Sequence, residues 1–465
     1  MRFWQPLVLL STVTLAAVAQ TKSAPAPARP AYLELRWDEN WSYLRNHTYR
    51  TDYLDPLKYI ELGHPGWYMS LGGESRTRYE LFRSAGFGAV VNSPNGFLIQ
   101  RFLGHADIHM GQVRFFVQAQ SGLETGRLQG PRATDKDQFE IHQGFVELST
   151  SGDAKKAVTF RLGRQELEFG SGHFLSASEV FNVRRSFDAA RVYWKQGNYT
   201  WNFLVARPVE LNPGVFDNSP DHHQSLWAGG IFGPNPLIKK TNVSLYYLGY
   251  DRKFAPFDKG SGRETRHTIG SRWWGTRGKF DYNYEFLGQF GTFRTGNIAA
   301  WAVATDTGYS QLKMKFAPRF SLRADIASGD RNRAGSTLGT FNPLFPTTAY
   351  SGKIGLIGAS NMIDLTPNVR LRLHKRVYFL PESSVFWRQS TRDGIYSVLG
   401  TPLRTGRLSS AHYVGTQVSL PVQLTIDRHT TWTGMVTRFY SGEFLKQTPP
   451  GHSVTYFTTF LTYRF

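Results

Sequence analysis

The sequence contains no cysteine in its 465 residues. This absence excludes a disulfide framework, a thiolate zinc site and a cysteine nucleophile. The chain also lacks a long apolar run after its first 20 residues, where no window approaches the roughly 18 consecutive apolar residues of a transmembrane helix. A slightly negative mean hydropathy agrees with that lack. Two classes remain, a soluble protein and a membrane β-barrel, whose strands are apolar only at every second residue.

Acidic residues are few, because 35 Asp and Glu stand against 54 Lys and Arg and leave a formal net charge of +19. This excess predicts an anionic partner, namely nucleic acid, lipopolysaccharide or an acidic solute. Residues 1–19 carry one basic residue, then an apolar run, and end in Ala17-Val18-Ala19, which predicts a secretory signal peptide cut before Gln20. An amino-terminal membrane anchor is the disfavoured alternative, because the run is short for a span. Export from the cell argues against nucleic acid.

From Trp67 onward, apolar and polar residues alternate in segments that recur along the chain. Tyr282, Tyr284 and Phe286, for example, alternate with three polar residues. This pattern predicts β-strands, and convincing amphipathic helices are missing from the same region. The predicted strands number about 18 and begin near residues 67, 97, 112, 138, 158, 189, 199, 223, 240, 265, 279, 299, 316, 357, 374, 409, 424 and 453.

Short and long connections alternate between the predicted strands. Clear short connections are predicted near Met110-Gly111, Gln196-Gly197-Asn198, Thr276-Arg277-Gly278, Ala317-Pro318, His374-Lys375 and Pro421. Long ones include Thr125–Asp137, Gly170–Asp188, Glu210–His222, Gly329–Leu356 and Gln389–Leu408, and the connection near Gly296 is the least clear of the long set. This alternation predicts an all-β, antiparallel, up-and-down transmembrane barrel with tight periplasmic turns, long outer loops and both termini in the periplasm. A soluble β-sandwich gives no reason for it.

The predicted organisation has three parts: a signal peptide (1–19), a periplasmic amino-terminal segment (20–66) and the barrel (67–465). The aromatic and charged stretch Tyr32–Pro65 either plugs the lower mouth of the barrel or merely leads into it. The last strand, VTYFTTFLTYRF, ends on Phe465 with apolar residues at alternate positions. This ending resembles the signal through which barrels enter the outer-membrane assembly machinery, and an ordinary closing strand is the alternative.

The stretch NVRLRLHKRVYFL, Asn368–Leu380, shows how the two faces of a strand are expected to differ. Arg370 and Arg372 alternate with apolar residues and are expected to face the lumen, because an arginine at the lipid midplane costs about 2–4 kcal/mol. The same alternation predicts further lumenal cations at Arg76, Arg78, Arg101 and Arg323. Rings of cations give a pore anion selectivity. The alternative is that each arginine pairs with a carboxylate and stiffens the lumen.

Several short motifs point to a known family. The stretch Arg161–Trp194 contains Gly163-Arg164-Gln165 and Phe187-Asp188-Ala189-Ala190-Arg191. The others are Trp37-Asp38-Glu39-Asn40-Trp41, Tyr43-Leu44-Arg45, Asp55-Pro56-Leu57-Lys58-Tyr59-Ile60, Leu71-Gly72-Gly73-Glu74-Ser75-Arg76, Ala327-Ser328-Gly329-Asp330 and Phe341-Asn342-Pro343-Leu344-Phe345. Together these motifs resemble the alginate-export family of outer-membrane proteins, and they cover the mature chain almost end to end.

The resemblance implies a monomeric barrel of about 18 strands in the outer membrane of a Gram-negative-type bacterium. It also implies an arginine- and lysine-rich constriction that passes a polyuronate, and a long loop that partly closes the pore. Matched by motif, Arg164, Asp188 and Arg191 are the expected constriction residues. The long connection Gly329–Leu356 carries Arg331 and Arg333, and it either folds inward as a gate or stays an outer loop.

The expected function is a channel that passes an anionic solute, most simply an acidic polysaccharide such as alginate, with no cofactor, no metal and no covalent chemistry. A porin for small carboxylates or other anions is the alternative, and an outer-membrane hydrolase or a purely structural barrel is a more distant one. Asp221-His222-His223 is the cluster that a hydrolase or a metal would use. Adjacent histidines in a polar loop are commonly solvated, and two ligands make a weak metal site. The other expected partners are outer-membrane lipid and lipopolysaccharide.

Overall fold

One antiparallel sheet closes on itself in the computed structural model, which describes residues 29–153, 157–347 and 352–465. The predicted signal peptide, residues 1–19, lies outside these ranges. The barrel strands are β1 Tyr68–Arg83, β2 Asn95–Met110, β3 Val113–Thr125, β4 Asp137–Ser149, β5 Val158–Gln165, β6 Phe187–Gln196, β7 Tyr199–Glu210, β8 Gln224–Pro234, β9 Thr241–Phe257, β10 Gly260–Arg277, β11 Phe280–Phe293, β12 Gly296–Ser310, β13 Arg319–Ala327, β14 Met362–His374, β15 Val377–Phe379 with Glu382–Arg388, β16 Tyr413–Thr425, β17 Thr430–Ser441 and β18 Val454–Arg464.

Closure is made by the first and last strands, β1 and β18, which pair from Glu74 opposite Arg464 to Arg83 opposite Thr455. Every strand pairs antiparallel with its neighbours in sequence, so the predicted up-and-down barrel of 18 strands is confirmed. Each predicted strand corresponds to one observed strand. The predicted start near residue 158 is met at Val158, and the largest offset is at β17, predicted near 424 and observed at Thr430.

Proline caused one wrong turn prediction. Pro421 lies inside β16, opposite Met435 of β17, and the turn follows at residues 426–429. Proline is disfavoured in strands because it cannot donate to the ladder. Here its carbonyl oxygen accepts a hydrogen bond from the backbone N–H of Leu380 at 3.0 Å, at the point where β15 is interrupted. The hydrogen-bond ladder between β15 and β16 therefore continues across Pro421 and the interruption of β15.

The regular elements outside the barrel are short. They are the helices Asp55–Lys58 and Glu443–Gln447, the 3-10 helices Arg36–Asp38, Ser42–Arg45, His47–Tyr49, Gly86–Gly88 and Gly406–Leu408, and the strands Ile60–Glu61, Ser219–Pro220, Ile395–Tyr396 and Pro402–Arg404. Across the described ranges, no helix has the length and apolar character needed to cross a membrane.

The connections divide the barrel into a short-turn end and a loop end. Both ends of the barrel chain, Tyr68 and Arg464, lie at the short-turn end, as an even number of strands requires. Two connections at the loop end are two-residue turns rather than loops, Asp258-Lys259 and Arg294-Thr295. The second of these corrects the long connection predicted near Gly296. Strands β9 to β11, which flank these turns, are themselves long and extend the wall at this side.

Alternation separates the two faces of each strand. In β5, Phe160 and Leu162 are 53% and 63% exposed, whereas Thr159, Arg161 and Gln165 are buried. The exposed apolar face of a barrel is the face that lipid covers. The buried face of β5 points into the barrel, where other parts of the chain pack against it. The same rule fixes which side chains of each strand can reach the lumen.

Two loops from the loop end fold into the barrel. The first, residues 166–186, is called the inserted loop, and the second comprises residues 328–347 and 352–361. The inserted loop contacts β1 through Glu179 and, on the opposite wall, β11 through Ser171, so it spans the lumen. The two loops pair at Leu175 and Phe345, and the Phe345 ring packs against Phe187 at 5.2 Å between centroids. Their apolar side chains form a core with the inner wall of the barrel.

The amino-terminal segment enters the barrel from the short-turn end. Arg36 donates hydrogen bonds to the carbonyl oxygens of Gly73 in β1, at 2.8 Å, and of Phe465, at 2.7 Å. The neighbouring Trp37 is buried among side chains of the inner wall. Of the two alternatives for this stretch, the geometry therefore fits a segment that closes part of the mouth.

Candidate functional site

The tip of the inserted loop is held by three arginines of the inner wall. Arg76 donates hydrogen bonds to the carbonyl oxygens of Glu179 and Phe181, each at 3.0 Å, and Arg78 donates to that of Val180 at 2.9 Å. Arg101 donates to the Phe181 carbonyl oxygen at 3.1 Å. These contacts of Arg76, Arg78 and Arg101 are called the clamp. Because backbone carbonyls accept most of the bonds, the clamp depends on the backbone path of the loop more than on the loop's side chains.

Carboxylates keep this cluster of arginines together. Arg101 forms ion pairs with Glu74 of β1 and with Glu179 of the loop. Arg184, in the same loop, pairs with Glu179 at 2.5 Å. Burial acts to raise the pKa of Glu179, but the charges of Arg101 and Arg184 lower it more, so the pKa of this carboxyl is below its ordinary value. The tip of the inserted loop therefore carries an ionised carboxylate, Glu179, that is held by the arginines around it.

Trp37 of the amino-terminal segment sits between two lumenal arginines. The guanidinium of Arg161 lies 3.9 Å from the Trp37 ring centroid, and that of Arg191 lies 5.7 Å away. Arg114 of β3 donates to the Trp37 carbonyl oxygen. Cations over the face of an indole are attracted by its quadrupole. The segment thus packs against arginines of β3, β5 and β6 at the short-turn end, where Arg114 and Arg161 share the carboxylate of Glu147.

A cavity of about 410 Å³ lies between the tip of the inserted loop and the adjoining wall of β16 to β18, which continues from β1. The amino-terminal segment contributes Glu34 to it and the inserted loop contributes Glu179 and Val180. The wall of β16 to β18 is mostly uncharged and supplies hydroxyl and amide groups. The lining side chains of that wall are Pro421, Gln423, Thr431, Thr433, Met435, Tyr456, Thr458, Phe460 and Thr462, and Leu380 of the β15 interruption lies beside them.

Four cations and two carboxylates line this cavity. The cations are Arg76 and Arg78 of β1, Lys353 of the second loop and Arg464 of β18, and the carboxylates are Glu34 and Glu179. Burial, and next the charge of Glu179, raise the pKa of Glu34. Lys353 lies 3.4 Å from Glu382 of β15 and remains one-third exposed. Each of the four cations also has a carboxylate partner, so an anion in the cavity would share these cations with the protein's own carboxylates.

The predicted inward cations of the β13 and β14 walls lie where the alternation indicates. Arg370 and Arg372 share the face of the buried Asp364 and Thr366, and both are exposed. Arg323 of β13 faces the same way and lies 3.7 Å from Asp325. Arg370 stands opposite Arg319, which pairs with Asp281 and Asp306. Arg323 therefore has a carboxylate beside it, whereas Arg370 and Arg372 form no ion pair among the described residues.

Two of the three residues matched by motif lie on the other face. Arg164 shares the face of the exposed Phe160 and Leu162, and its ion pair with Asp188, at 2.9 Å, is on the outer surface near the loop end. This orientation corrects the expectation that Arg164 and Asp188 form the constriction. Arg191 points inward instead, where it donates to Asn202 at 2.9 Å and stands opposite Arg161.

The two expected gating residues lie at the rim of the loop end. Arg333 pairs with Asp258, in the two-residue turn between β9 and β10, at 2.6 Å. Arg331 is exposed, and its carbonyl oxygen accepts from Arg392. The parts of the second loop that enter the barrel come later: Arg266 donates to the carbonyl oxygen of Thr340, and Lys353 lines the cavity. The loop folds inward, but not at its arginines.

The Asp221-His222-His223 cluster is engaged by its own loop. Asp221 accepts hydrogen bonds from the backbone of His223 and from the side chain of Gln224, and His222 contacts Arg207 at 2.9 Å. Within the described ranges, no group of three or more His, Asp or Glu side chains could hold a metal ion.

Several lumenal residues are not among those predicted from the sequence, and only some of them carry a sequence signal. Arg161 lies three positions before Arg164, so alternation alone puts the two on opposite faces and favours Arg161 as the lumenal one. Arg464 alternates with apolar residues in the last strand and could be assigned inward in the same way. Glu34, Glu179 and Lys353 lie in irregular segments, where no periodicity indicates a direction.

The comparisons with known proteins agree with this architecture. A family model described as alginate export matches residues 67–459. A BenF-like porin from Pseudomonas fluorescens is similar in structure, with 9% identity, a TM-score of 0.57 and coverage of 85% of this chain and 98% of that chain. Pseudomonas aeruginosa OpdK with vanillate has 8% identity and a TM-score of 0.57, with coverage of 85% of this chain and 98% of that chain. Pseudomonas aeruginosa OccD3 (OpdP) has 12% identity and a TM-score of 0.56, with coverage of 88% of this chain and 92% of that chain. At these identities the likeness shows the fold alone. No curated protein is a significant match.

Proposed function

This chain belongs to the alginate-export family and is an outer-membrane channel, and on that premise we propose that it passes an acidic polysaccharide such as alginate through an arginine-rich lumen. The observation that carries the proposal is the cavity beside the inserted loop. Four cations, Arg76, Arg78, Lys353 and Arg464, line it, and each is held in place by a carboxylate. The periplasmic position of the termini and the monomeric state belong to the same proposal.

The chemistry needed is binding without reaction. A carboxylate that leaves water loses its hydration, and guanidinium and ammonium groups replace that hydration with charge-assisted hydrogen bonds. The sugar hydroxyls would find the threonine and glutamine side chains of β16 to β18. Conduction requires that each contact be weak enough to exchange. The carboxylates among the arginines support this, because they reduce the affinity of any one cation for a passing anion.

No covalent step is part of the proposal. A hydrolase would need a nucleophile and a base within hydrogen-bond reach of each other. The His222 side chain contacts Arg207, the backbone N–H of His223 donates to Asp221, and its carbonyl oxygen accepts from the backbone of Lys253. Lipid and lipopolysaccharide around the barrel, and the assembly machinery acting on the strand that ends at Phe465, are the other proposed partners. A structural barrel without transport is distinguished by the absence of selective conductance.

A porin for small carboxylates is the second candidate, and the size of the cavity favours it. A volume of about 410 Å³ lies in the range of small-molecule sites, and the two inward loops fill much of the rest of the lumen. Vanillate, the molecule named with OpdK, is a small carboxylate. Under this candidate the same cations bind one carboxylate at a time. The two loops would then not have to rearrange, because no long chain has to pass them.

Current block in a planar bilayer separates the two candidates. Uronate oligomers of increasing length and a monomeric carboxylate are added to the reconstituted channel, and dwell times are measured. Dwell times that grow with oligomer length support the polysaccharide, whereas dwell times that saturate at the monomer support the small-anion porin. The Lys353→Gln, Arg464→Gln variant is expected to shorten them. The matched control is Arg83→Gln with Arg263→Gln, two exposed cations outside the cavity. Absence of block by any anion would overturn both candidates.

A further inference from the structure

Six cations gather at one side of the short-turn mouth, in and beside two neighbouring turns. Lys313 and Lys315 lie in the turn between β12 and β13, and Lys375 and Arg376 lie in the turn between β14 and β15. Arg370 and Arg372 stand on the last residues of β14. All six side chains are exposed. This set is called the mouth cluster.

The mouth cluster is not neutralised within the protein. None of its six members forms an ion pair in the described parts of the chain. The lumenal carboxylates Asp281 and Asp306 are both paired with Arg319, and Glu382 is paired with Lys353. The polar contacts of the cluster are few: Arg376 donates to the carbonyl oxygen of Ile426 at 3.1 Å, and Lys315 lies 5.0 Å from the Phe316 ring. Six uncompensated cations at one mouth create a local positive potential.

The cluster continues from the rim into the lumen. Arg372 and Arg370 are on the inward face of β14, about 7 Å apart along the strand. The lysine turn is tied to that strand, because the backbone N–H of Arg372 donates to the carbonyl oxygen of Phe316 at 2.8 Å. The cations of the two turns are therefore continuous with Arg372 and Arg370 on the lumenal wall.

We propose that the mouth cluster captures a polyanionic chain at the short-turn end and guides its end along Arg372 and Arg370 into the lumen. The inference rests on the proposed function and adds the place and the direction of loading. A polyuronate carries one carboxylate per sugar, so several cations at the mouth can hold one chain at once. Steering by such a cluster raises the association rate by about 10- to 1,000-fold and weakens as salt screens it. It does not set how long the chain stays in the cavity.

The test measures current block by uronate oligomers, and by polyglutamate of similar charge, added to one side of a bilayer at a time. The test variant is Lys313→Gln with Lys315→Gln, and the matched control is Lys195→Gln with Lys239→Gln, two exposed cations at the same end outside the cluster. The test variant should lower the association rate from the short-turn side by about tenfold, only at low salt, with dwell times unchanged. The control should keep the rate of the unmodified channel.

Three results would overturn the inference while leaving the proposed function intact: equal association rates from both sides, an unchanged rate in the test variant, or an equal loss in the control. A loss confined to bilayers that contain anionic lipid would instead assign the lysines to lipid headgroups, and it would overturn the inference as well. If neither polyanion blocks from either side, the proposed function itself has failed and the inference fails with it.

Discussion

Arg76, on the first strand of the barrel, donates a hydrogen bond to the carbonyl oxygen of Glu179, 103 residues later in the inserted loop, over 3.0 Å. This contact joins the inner wall to the segment that crosses the lumen. Arg78 and Arg101 make the same kind of bond beside it. The inserted loop is therefore held in place by the wall and can only leave the lumen when several of these bonds break together.

Arg101→Ala should release the tip of the inserted loop. The side chain of Arg101 is fully buried and pairs with Glu74 and Glu179, and removing one partner of a buried pair costs about 3–5 kcal/mol. We expect larger and noisier single-channel currents and a lower midpoint in urea unfolding. Arg83→Ala, on the same wall but exposed, is the control. Unchanged current in Arg101→Ala would mean that the loop tip is held without this pair.

Trp37→Ala should open the short-turn mouth. Trp37 lies over the guanidinium groups of Arg161 and Arg191, so its removal uncovers both, although Arg161 keeps its ion pair with Glu147. We expect a higher single-channel conductance and a stronger preference for anions. Trp37→Phe keeps a ring over both guanidinium groups and should restore the values of the unmodified channel. An equal conductance in all three proteins would show that the amino-terminal segment does not restrict the current.

Docking of the amino-terminal segment should strengthen between pH 7 and pH 10. Burial, and next the charge of Arg36, lower the pKa of Lys58 to about 7, well below its free value. The docked state therefore prefers the neutral amine, and it is penalised by about 5 kcal/mol below pH 7, a penalty that fades as the pH rises towards the free value near 10.4. Protease cleavage within residues 30–66 should slow over this range. Lys58→Met should resist cleavage at all pH values, and a pH dependence that persists in this variant would contradict the account.

Neutralising inward and outward arginines should have different effects on selectivity. Arg370→Gln with Arg372→Gln removes two lumenal charges and should reduce the preference for anions severalfold. Arg164→Gln with Arg207→Gln removes two charges from the outer face and should leave it unchanged. Reversal potentials of the two double variants, measured in one lipid and one salt gradient, provide the check. A larger effect from Arg164 and Arg207 would mean that the assignment of faces in β5 and β7 is inverted.

Alternation along the strands predicted the barrel because the rule is local. Each strand needs only its own sequence to show which residues face lipid, and Val369, Leu371 and Leu373 show it clearly in β14. The same rule predicts that Arg161 and Arg164, three positions apart, point in opposite directions. The motif match gave Arg164 the lumenal position because a motif carries no information on the face of the strand.

The contents of the lumen depend on long-range contacts, which no local pattern reveals. Glu179 lies in a loop without periodicity, and its position follows from arginines more than 70 residues earlier. Trp37 is positioned by hydrogen bonds from the neighbouring Arg36 to Gly73 in the first barrel strand and to Phe465 after the last one. Pro421 fits a turn by its residue type and a strand only through its neighbours in β15 and β17. The sequence therefore predicted the strands of the channel wall but not the contacts of the segments that lie inside the lumen.

The central claim, that the lumen selects anions, is tested most directly by the reversal potential of the reconstituted channel in a planar bilayer under a salt gradient. The cations of the cavity and of the mouth cluster predict a potential whose sign reports anion permeation and whose magnitude falls as salt screens them. A potential of zero, or of the sign that reports cation permeation, would contradict the claim.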